Sequence, residues 1–183
     1  LVEIDAYAAE EKKWFTTKDF ALPVSLKYPD EDDITDAQYN YLQTSFNRMV
    51  SRVASPSYNN PVMGFRRYLD EDSFLRRFLV EELAANVDAW WSVHMYKDRD
   101  STRFHTGPVW DFDQAMNNYF QDEMDPYTLA FQTKPLFDRL SMDKRFIDCL
   151  KERYAALRKD TLSEEHVFDV MDETVMYLKS ARQ

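Results

Sequence analysis

Glycine is nearly absent from this chain, which holds only Gly64 and Gly107 in 183 residues. An ordinary protein contains ~7% glycine. The phosphate-binding loops of the GxxxxGK[ST] and GxGxxG types both depend on glycines at fixed spacing. Neither loop can be written in this sequence, so both common glycine-rich ways of holding a nucleotide phosphate are excluded.

Composition narrows the class of protein further. A hydrophobic content of 44% and an aromatic content of 15% are typical of a globular domain of ordinary size. The net charge of −10 argues against nonspecific binding to nucleic acid or to anionic membranes, because both reward clustered positive charge. Cys149 is the single cysteine, which excludes an intrachain disulfide and a cysteine-rich metal site. No stretch is long and apolar enough to span a bilayer.

Periodicity predicts strands first, then helices, a hairpin and more helices, an order typical of an α+β fold. Alternation predicts a strand in LVEIDAY, a second near residues 14–17 and an extended run at 22–28. Helical spacing predicts helices at 36–54, 70–85, 135–140, 144–159 and 163–180. The first and last of the long helices follow capping boxes, Thr35 with Gln38 and Thr161 with Glu164.

The helix at 70–85 shows an apolar and a polar face. The apolar face is formed by Phe74, Leu75, Phe78, Leu79 and Leu83. The polar face, expected in solvent, is formed by Arg76, Arg77, Glu81 and Glu82. A β-hairpin follows, with strands at 91–97 and 103–109 joined by DRDS.

Two carboxylates stand two residues apart at the end of this hairpin, Asp111 and Asp113 in WDFD. In an extended chain both side chains point the same way, with Cα atoms about 6–7 Å apart. Such a pair can bind a metal, and hard oxygen ligands select Mg²⁺ or Mn²⁺. The motif alone favours a plainer interpretation, in which Asp111 caps a turn and Asp113 faces solvent.

A third carboxylate, Asp88, stands before the hairpin in ANVDAWW. On a loop after a helix it is placed to serve as a general base for a hydroxyl. Alone it equally fits a turn residue, because Asp and Asn are common in turns. Together with Asp111 it fits a stronger template. Protein kinases place a catalytic Asp on a loop after a helix, and a Mg²⁺-binding Asp follows a short hairpin.

The segments YLDEDSFLRRFLVEELAANVDAWWSVHMYKDRD and GPVWDFDQAMNN closely resemble the spore-coat protein H (CotH) family of atypical kinases. The shared features are Asn-x-Asp after the helix, YKD at the hairpin turn and GPxWDFD. The leading LVEID and the C-terminal helices also fit, so the resemblance covers most of the chain.

The resemblance implies a role for each of four residues. Asp88 matches the catalytic Asp, Asp111 the metal-binding Asp, and Asn86 the Asn of Asn-x-Asp. Asp113 falls at a position where the family has Asp or Asn and would support the metal. Implied with them are ATP, Mg²⁺ or Mn²⁺, phosphoryl transfer to the hydroxyls of an unidentified protein substrate, and a secreted, cell-surface or spore-coat location.

The chain departs from the family pattern at two places. Many relatives continue WDFD into a Gly-Asn turn, whereas here Met116 precedes Asn117. The lysine and loop that hold the ATP phosphates are expected before residue 1, so residues 1–183 are predicted to be a single kinase-like domain that lacks its N-terminal part. The alternatives are a noncatalytic kinase-like domain for coat or surface assembly, and a metal-dependent glycosyl or nucleotidyl transferase.

Other residues in the hairpin are weaker candidates. His94 and His105 would face each other if residues 97 and 102 pair, and two imidazoles can bind Zn²⁺, although a cross-strand polar pair is the simpler interpretation. Lys97 would reach a phosphate or, by default, lie in solvent. The tryptophans of this region are predicted to form core and pocket wall, namely Trp90, Trp91 and Trp110.

Overall fold

The computed structural model describes residues 1–118, 129 and 135–181. Within these residues five strands form one sheet in the order β2-β3-β1-β4-β5, and every neighbouring pair is antiparallel. The strands are β1 (Val2–Asp5), β2 (Trp14–Thr16), β3 (Pro23–Leu26), β4 (Ser92–Tyr96) and β5 (His105–Thr106). Five helices accompany them, α1 (Asp36–Ala54), α2 (Glu71–Leu83), α3 (Pro135–Ser141), α4 (Lys144–Leu157) and α5 (Glu164–Ser180). The fold is α+β, as predicted.

Helix α1 has the predicted bounds because its first turn is closed by side chains. The Thr35 hydroxyl accepts from the Gln38 N–H at 3.3 Å, and the Gln38 side chain accepts from the Thr35 N–H at 2.9 Å. These two bonds are the predicted capping box. The predicted range of α5, 163–180, agrees with the structure to within one residue, but the predicted capping residue Thr161 was wrong: the N-cap is Ser163, whose hydroxyl accepts from the His166 N–H at 3.3 Å.

The chain divides into two compact units, Leu1–Asp143 and Lys144–Gln183. The second unit contains α4 and α5. The first contains the sheet, α1, α2 and α3, and it also holds every residue proposed for a site. Its core joins the sheet to α1 through aromatic contacts, with ring centroids 6.0 Å apart for Phe15–Phe46 and 5.2 Å for Phe46–Phe104.

The two faces of the sheet differ in chemistry because side chains alternate along each strand. One face is apolar and buried, and it includes Val2, Ile4, Val24, Val93 and Met95. The opposite face carries Glu3 from β1, Ser25 from β3 and His94 from β4, and Glu3 and Ser25 are also buried.

The polar face predicted for α2 was wrong at two positions. Arg77 and Glu81 are fully buried, with side chains 2% and 0% exposed, and form an ion pair of 3.0 Å between Arg77 Nη2 and Glu81 Oε1. Arg76 remains on the surface, paired with Asp72 at 2.8 Å. The apolar face is buried as predicted except at Leu83, which is exposed.

The hairpin exists, but its predicted register was wrong. Met95 pairs with Thr106 and Tyr96 with His105, so the two histidines do not face each other across the strands. Strand β5 is short because Phe104 hydrogen-bonds elsewhere: its N–H donates to Tyr68 O at 2.7 Å, and its carbonyl accepts from the Asp70 N–H at 2.8 Å. Phe104 is therefore paired with the segment just before α2, and pairing with β4 begins only at His105.

Candidate active site

The two carboxylate-bearing segments meet in a small cleft beyond the end of α2. The residues that line it include Asn86, Asp88, Ser92, Trp110 and Asp111. Asp88 comes from the turn after α2, and Asp111 from the segment that follows β5. The structure thus brings together, from both sides of the hairpin, the two acids that the sequence singled out.

Asp88 is held in a turn that begins where α2 ends. Ala85 adopts a left-handed backbone with φ of 49°, which stops the helix. The Asp88 N–H donates to the side-chain oxygen of Asn86 at 3.3 Å, and the Asp88 carbonyl accepts from the Trp91 N–H at 3.0 Å. The backbone of Asp88 is therefore fixed on both sides, and its half-buried carboxylate borders the cleft.

Asp111 does not lie in an extended chain, so that expectation for WDFD was wrong. Its φ is 59°, in the left-handed region that few residues other than glycine, Asn and Asp adopt. Backbone in this region costs on the order of 1–3 kcal/mol and is common at functional sites. The turn exposes the Asp111 side chain at the mouth of the cleft.

Three carboxylates lie within electrostatic reach of one another. The negative charge of Asp113 raises the pKa of Asp111, and loss of solvation, a side-chain hydrogen bond to Asp113 and the charge of Asp88 raise it further. Like charges that crowd one another in this way favour either a proton or a bound cation. A cation bound beside these three carboxylates, which we call the acidic cluster, would relieve their mutual repulsion.

The turn after Asp113 shows how Met116 fits where the family resemblance led us to expect glycine. Met116 and Asn117 both adopt left-handed backbones, with φ of 54° and 62°. The Met116 N–H donates to Ala84 O at 2.7 Å, which ties this turn to the last residues of α2. The departure from the family sequence thus keeps a backbone shape that glycine would adopt without strain.

Asn86 joins both sides of the cleft and is only 1% exposed. Its side-chain nitrogen donates to the Asp111 carbonyl at 3.1 Å and to the Glu81 carboxylate at 3.0 Å. Its side-chain oxygen is used by the Asp88 N–H. Asn86 is therefore a positioning residue, which fixes the backbone of both acids and does not itself face the cleft with a free oxygen.

The buried ion pair Arg77–Glu81 also holds the two segments that carry Asp88 and Asp111. Arg77 donates to Ala89 O at 2.8 Å, next to Asp88, and to Pro108 O at 3.1 Å, on the segment that leads to Asp111. Burial lowers the pKa of Arg77 and raises the pKa of Glu81, while the Arg77 charge and the Asn86 hydrogen bond oppose the rise for Glu81. Sequence reasoning missed this role; the only sequence signal is the i,i+4 spacing of opposite charges.

The family model described as CotH kinase protein matches residues 5–181, nearly the whole chain. The chain belongs to this CotH kinase family. No curated protein and no solved structure matches it. Membership in the CotH family supports a kinase-like function in general, and the helix, turn and hairpin order that carries Asp88 and Asp111 is the order of the kinase template.

The CotH family implies ATP and a divalent cation, and the acidic cluster fits the cation in part. Among the residues that the structure describes, no group of three or more His, Cys, Asp or Glu side chains is arranged to hold a metal. Mg²⁺ at phosphate-transfer sites does not need such a group, because one or two carboxylates, waters and the substrate phosphates complete its shell. Asp111 and Asp113 are the residues that would supply carboxylates of this kind.

The sheet beside the cleft carries a second polar cluster. The Ser92 hydroxyl donates to the buried Glu3 carboxylate, whose other oxygen is 3.2 Å from Lys27 Nζ. The Trp110 N–H donates to Ser92 O at 3.3 Å, and the Trp110 ring meets His94 edge-on with centroids 5.2 Å apart. Burial lowers the pKa of His94, against the charge of Glu3. These contacts orient Trp110 as one wall of the cleft.

The tryptophan predictions have different outcomes. Trp90 is 1% exposed and packs against Phe137 with ring centroids 4.5 Å apart, so it is core as predicted. Trp110 is 45% exposed and lines the cleft, and Trp91 is also exposed. In the described part of the chain no helix has the length and apolarity to cross a membrane.

Proposed function

We propose that this protein is a phosphotransferase that moves the γ-phosphoryl group of ATP to a hydroxyl of a protein substrate, with Mg²⁺ or Mn²⁺. The observation that carries the proposal is the meeting of Asp88 and Asp111 across one buried Asn86 side chain, in a chain of the CotH kinase family. Kinase chemistry consists mainly of positioning and charge stabilisation, and this arrangement supports both.

In this proposal Asp88 orients the acceptor hydroxyl and takes its proton. A carboxylate serves this purpose when its own position is fixed and it borders the space where the hydroxyl enters. The hydrogen bonds at the Asp88 N–H and carbonyl meet the first condition. Its place in the lining of the cleft meets the second.

Asp111 and Asp113 are the residues that would hold the cation. When bound, Mg²⁺ or Mn²⁺ neutralises charge on the phosphate oxygens. Asp111 is exposed and ready to bind from solvent, and the crowding that raises its pKa makes a positive charge favourable there. By family resemblance we further propose a location at the spore coat or another cell surface.

The test is ATP-dependent labelling of protein by the intact protein and by two near-isosteric variants. Asp111→Asn is expected to weaken metal-dependent nucleotide binding and to lower phosphoryl transfer by orders of magnitude. Asp88→Asn is expected to leave nucleotide and metal affinity nearly unchanged while transfer collapses, which is the signature of a transition-state role. Asp100→Asn, an exposed acid in the hairpin turn, is the matched control.

The outcomes separate the possible functions. If the intact protein labels no substrate and binds no nucleotide, the domain is a noncatalytic scaffold and the proposal is wrong. If it turns over a nucleotide sugar instead, the acidic cluster belongs to another transferase. If Asp88→Asn abolishes metal binding and Asp111→Asn spares it, the two roles are reversed.

A further inference from the structure

A second polar cavity lies at the other end of β4, away from the cleft. It is bounded by three residues of α1, Tyr41, Ser45 and Arg48, by Tyr68, and by the hairpin turn that starts at Lys97. We call it the hairpin-turn cavity. Its volume is about 70 Å³, which is more than a single water molecule needs. It shares no lining residue with the cleft.

Two cations face this cavity without a carboxylate partner. The Lys97 ammonium donates to the backbone carbonyls of Asp98 at 2.9 Å and Ser101 at 2.7 Å, and lies 4.9 Å from the centre of the Tyr41 ring. Arg48 forms no ion pair with any acid in the part of the chain that the structure describes. The protein has a net charge of −10 and 33 acidic residues. Two neighbouring cations without a carboxylate partner are therefore unusual and indicate a site that can bind an anion.

Residues able to donate hydrogen bonds line the same cavity. The nearby Lys97 ammonium lowers the pKa of the Tyr41 phenol, and Ser45 and the charge of Arg48 lower it too, against the effect of burial. The Tyr41 side chain lines the cavity, and its hydroxyl is able to donate a hydrogen bond. The five N–H groups of Arg48 add a planar fork, the geometry that binds phosphate oxygens in pairs.

We propose that the hairpin-turn cavity binds the phosphate group of a phosphorylated serine or threonine side chain. The donors and positive charges match a doubly charged anion with three free oxygens. The volume admits a phosphoryl group, and the cavity adjoins a larger pocket that shares Tyr41 and Lys97 with it. Arg48 and Thr102 are exposed at the edge of the cavity, so a side chain on the surface of another polypeptide can reach it.

The polypeptide is favoured over other carriers of phosphate by the charge of the whole chain. A net charge of −10 opposes long-range attraction of nucleic acid and of anionic membranes, whereas a single phosphoserine needs only this local pair of cations. The proposal that phosphorylated side chains are present nearby rests on the proposed kinase function, which would produce them. The binding itself requires no catalysis.

The experiment measures binding of a fluorescein-labelled hexapeptide with one phosphoserine by fluorescence anisotropy. The wild-type protein is expected to bind it at least tenfold more tightly than the unphosphorylated peptide, and more weakly as salt is added. Arg48→Gln is expected to lose about tenfold or more of this affinity, because charge-assisted hydrogen bonds are removed. Tyr41→Phe is expected to lose less.

The matched control is Arg52→Gln, which makes the same charge change one turn further along α1 and outside the cavity. We avoid Lys97 as the main test because its ammonium also holds the turn. Equal binding of the two peptides, or equal losses for the Arg48 and Arg52 variants, would overturn the proposal. Inorganic phosphate that binds as tightly as the phosphopeptide would identify the free ion as the ligand and overturn the assignment to a side chain.

One further variant separates this proposal from the proposed function. Asp88→Asn is expected to bind the phosphopeptide as wild type does, whether or not the intact protein is an active kinase. If phosphopeptide binding is found and no kinase activity is found, the cavity assignment stands and the proposed function fails. If Asp88→Asn removes phosphopeptide binding, the peptide binds in the cleft and the cavity assignment is wrong.

Discussion

Asn86 donates a hydrogen bond from its buried side-chain amide to the backbone carbonyl of Asp111, at 3.1 Å. The same amide accepts from the Asp88 N–H through its oxygen, at 3.3 Å. One side chain thus sets the distance between the two acids, and its nitrogen and oxygen are not interchangeable. The Glu81 carboxylate, which also accepts from this nitrogen at 3.0 Å, fixes which way the amide points.

The first prediction replaces this donor with an acceptor. Asn86→Asp turns the nitrogen into an oxygen that faces the Glu81 carboxylate and the Asp111 carbonyl in a buried place. We expect a loss of about 3 kcal/mol or more in the free energy of unfolding, because a buried charge is left uncompensated. Urea denaturation measures this loss. The control is Asn47→Asp on α1, where the amide is only half-buried. If Asn86→Asp is as stable as wild type, the Asn86 amide does not hold the two segments together through these hydrogen bonds.

The second prediction removes the cation beneath the cleft. Arg77→Met leaves the Glu81 carboxylate buried without its ion-pair partner, which costs about 3–5 kcal/mol at neutral pH. The exposed pair provides the control: Arg76→Met, whose partner is Asp72, is expected to change stability by no more than about 0.5 kcal/mol. If the two variants lose the same free energy of unfolding, the buried ion pair is no more important to stability than the exposed one.

The loss in Arg77→Met should also depend on pH, and the sign follows from Glu81. Burial raises the pKa of Glu81, and removal of the Arg77 charge raises it further. The folded state then binds a proton more tightly than the unfolded state, so the variant gains stability relative to wild type as the pH falls below the raised pKa. Urea denaturation across the acid range checks this. If the loss of stability of Arg77→Met relative to wild type grows as the pH falls, the prediction is wrong.

Local sequence signals predicted the elements well. The capping box of Thr35 and Gln38 gave the start of α1, and apolar spacing gave its length, because both depend on residues three or four apart in the chain. The sequence also predicted the order of helix, Asp88, hairpin and Asp111 along the chain. This order of elements needs no knowledge of packing.

Long-range partners decided what the sequence could not show. The sequence pattern predicts Arg77 on the surface. In the structure its side chain is buried because it donates hydrogen bonds to the carbonyls of Ala89 and Pro108, which are distant in sequence. The hairpin register depends on Phe104, which bonds to the residues before α2 instead of to β4. The left-handed backbone of Asp111 likewise accompanies a long-range contact, the hydrogen bond that Asn86 donates to its carbonyl.

The third prediction concerns the acidic cluster. Asp113 is the largest cause of the raised pKa of Asp111, and Asp88 is a smaller one. Asp113→Asn is therefore expected to lower the pKa of Asp111, and Asp88→Asn to lower it by less, because like charges disfavour ionisation. Carboxyl carbon chemical shifts, followed by NMR through the acid range, give each midpoint. An unchanged midpoint in both variants would show that the three carboxylates do not interact, and Asp100→Asn serves as the control.

The last prediction isolates the backbone of Asp111 from its charge. Asp111→Gly and Asp111→Ala both remove the carboxylate, so a difference between them reports only the left-handed φ of 59°. Glycine adopts that conformation freely and alanine does not, so the glycine variant is expected to be more stable by about 1 kcal/mol. At Asp98, whose φ is not positive, the same pair of substitutions should give the opposite order, since glycine there only adds freedom to the unfolded chain. Urea denaturation of the four variants makes the comparison. If alanine is the more stable substitution at both positions, Asp111 is not held in the left-handed turn that exposes its carboxylate to the cleft.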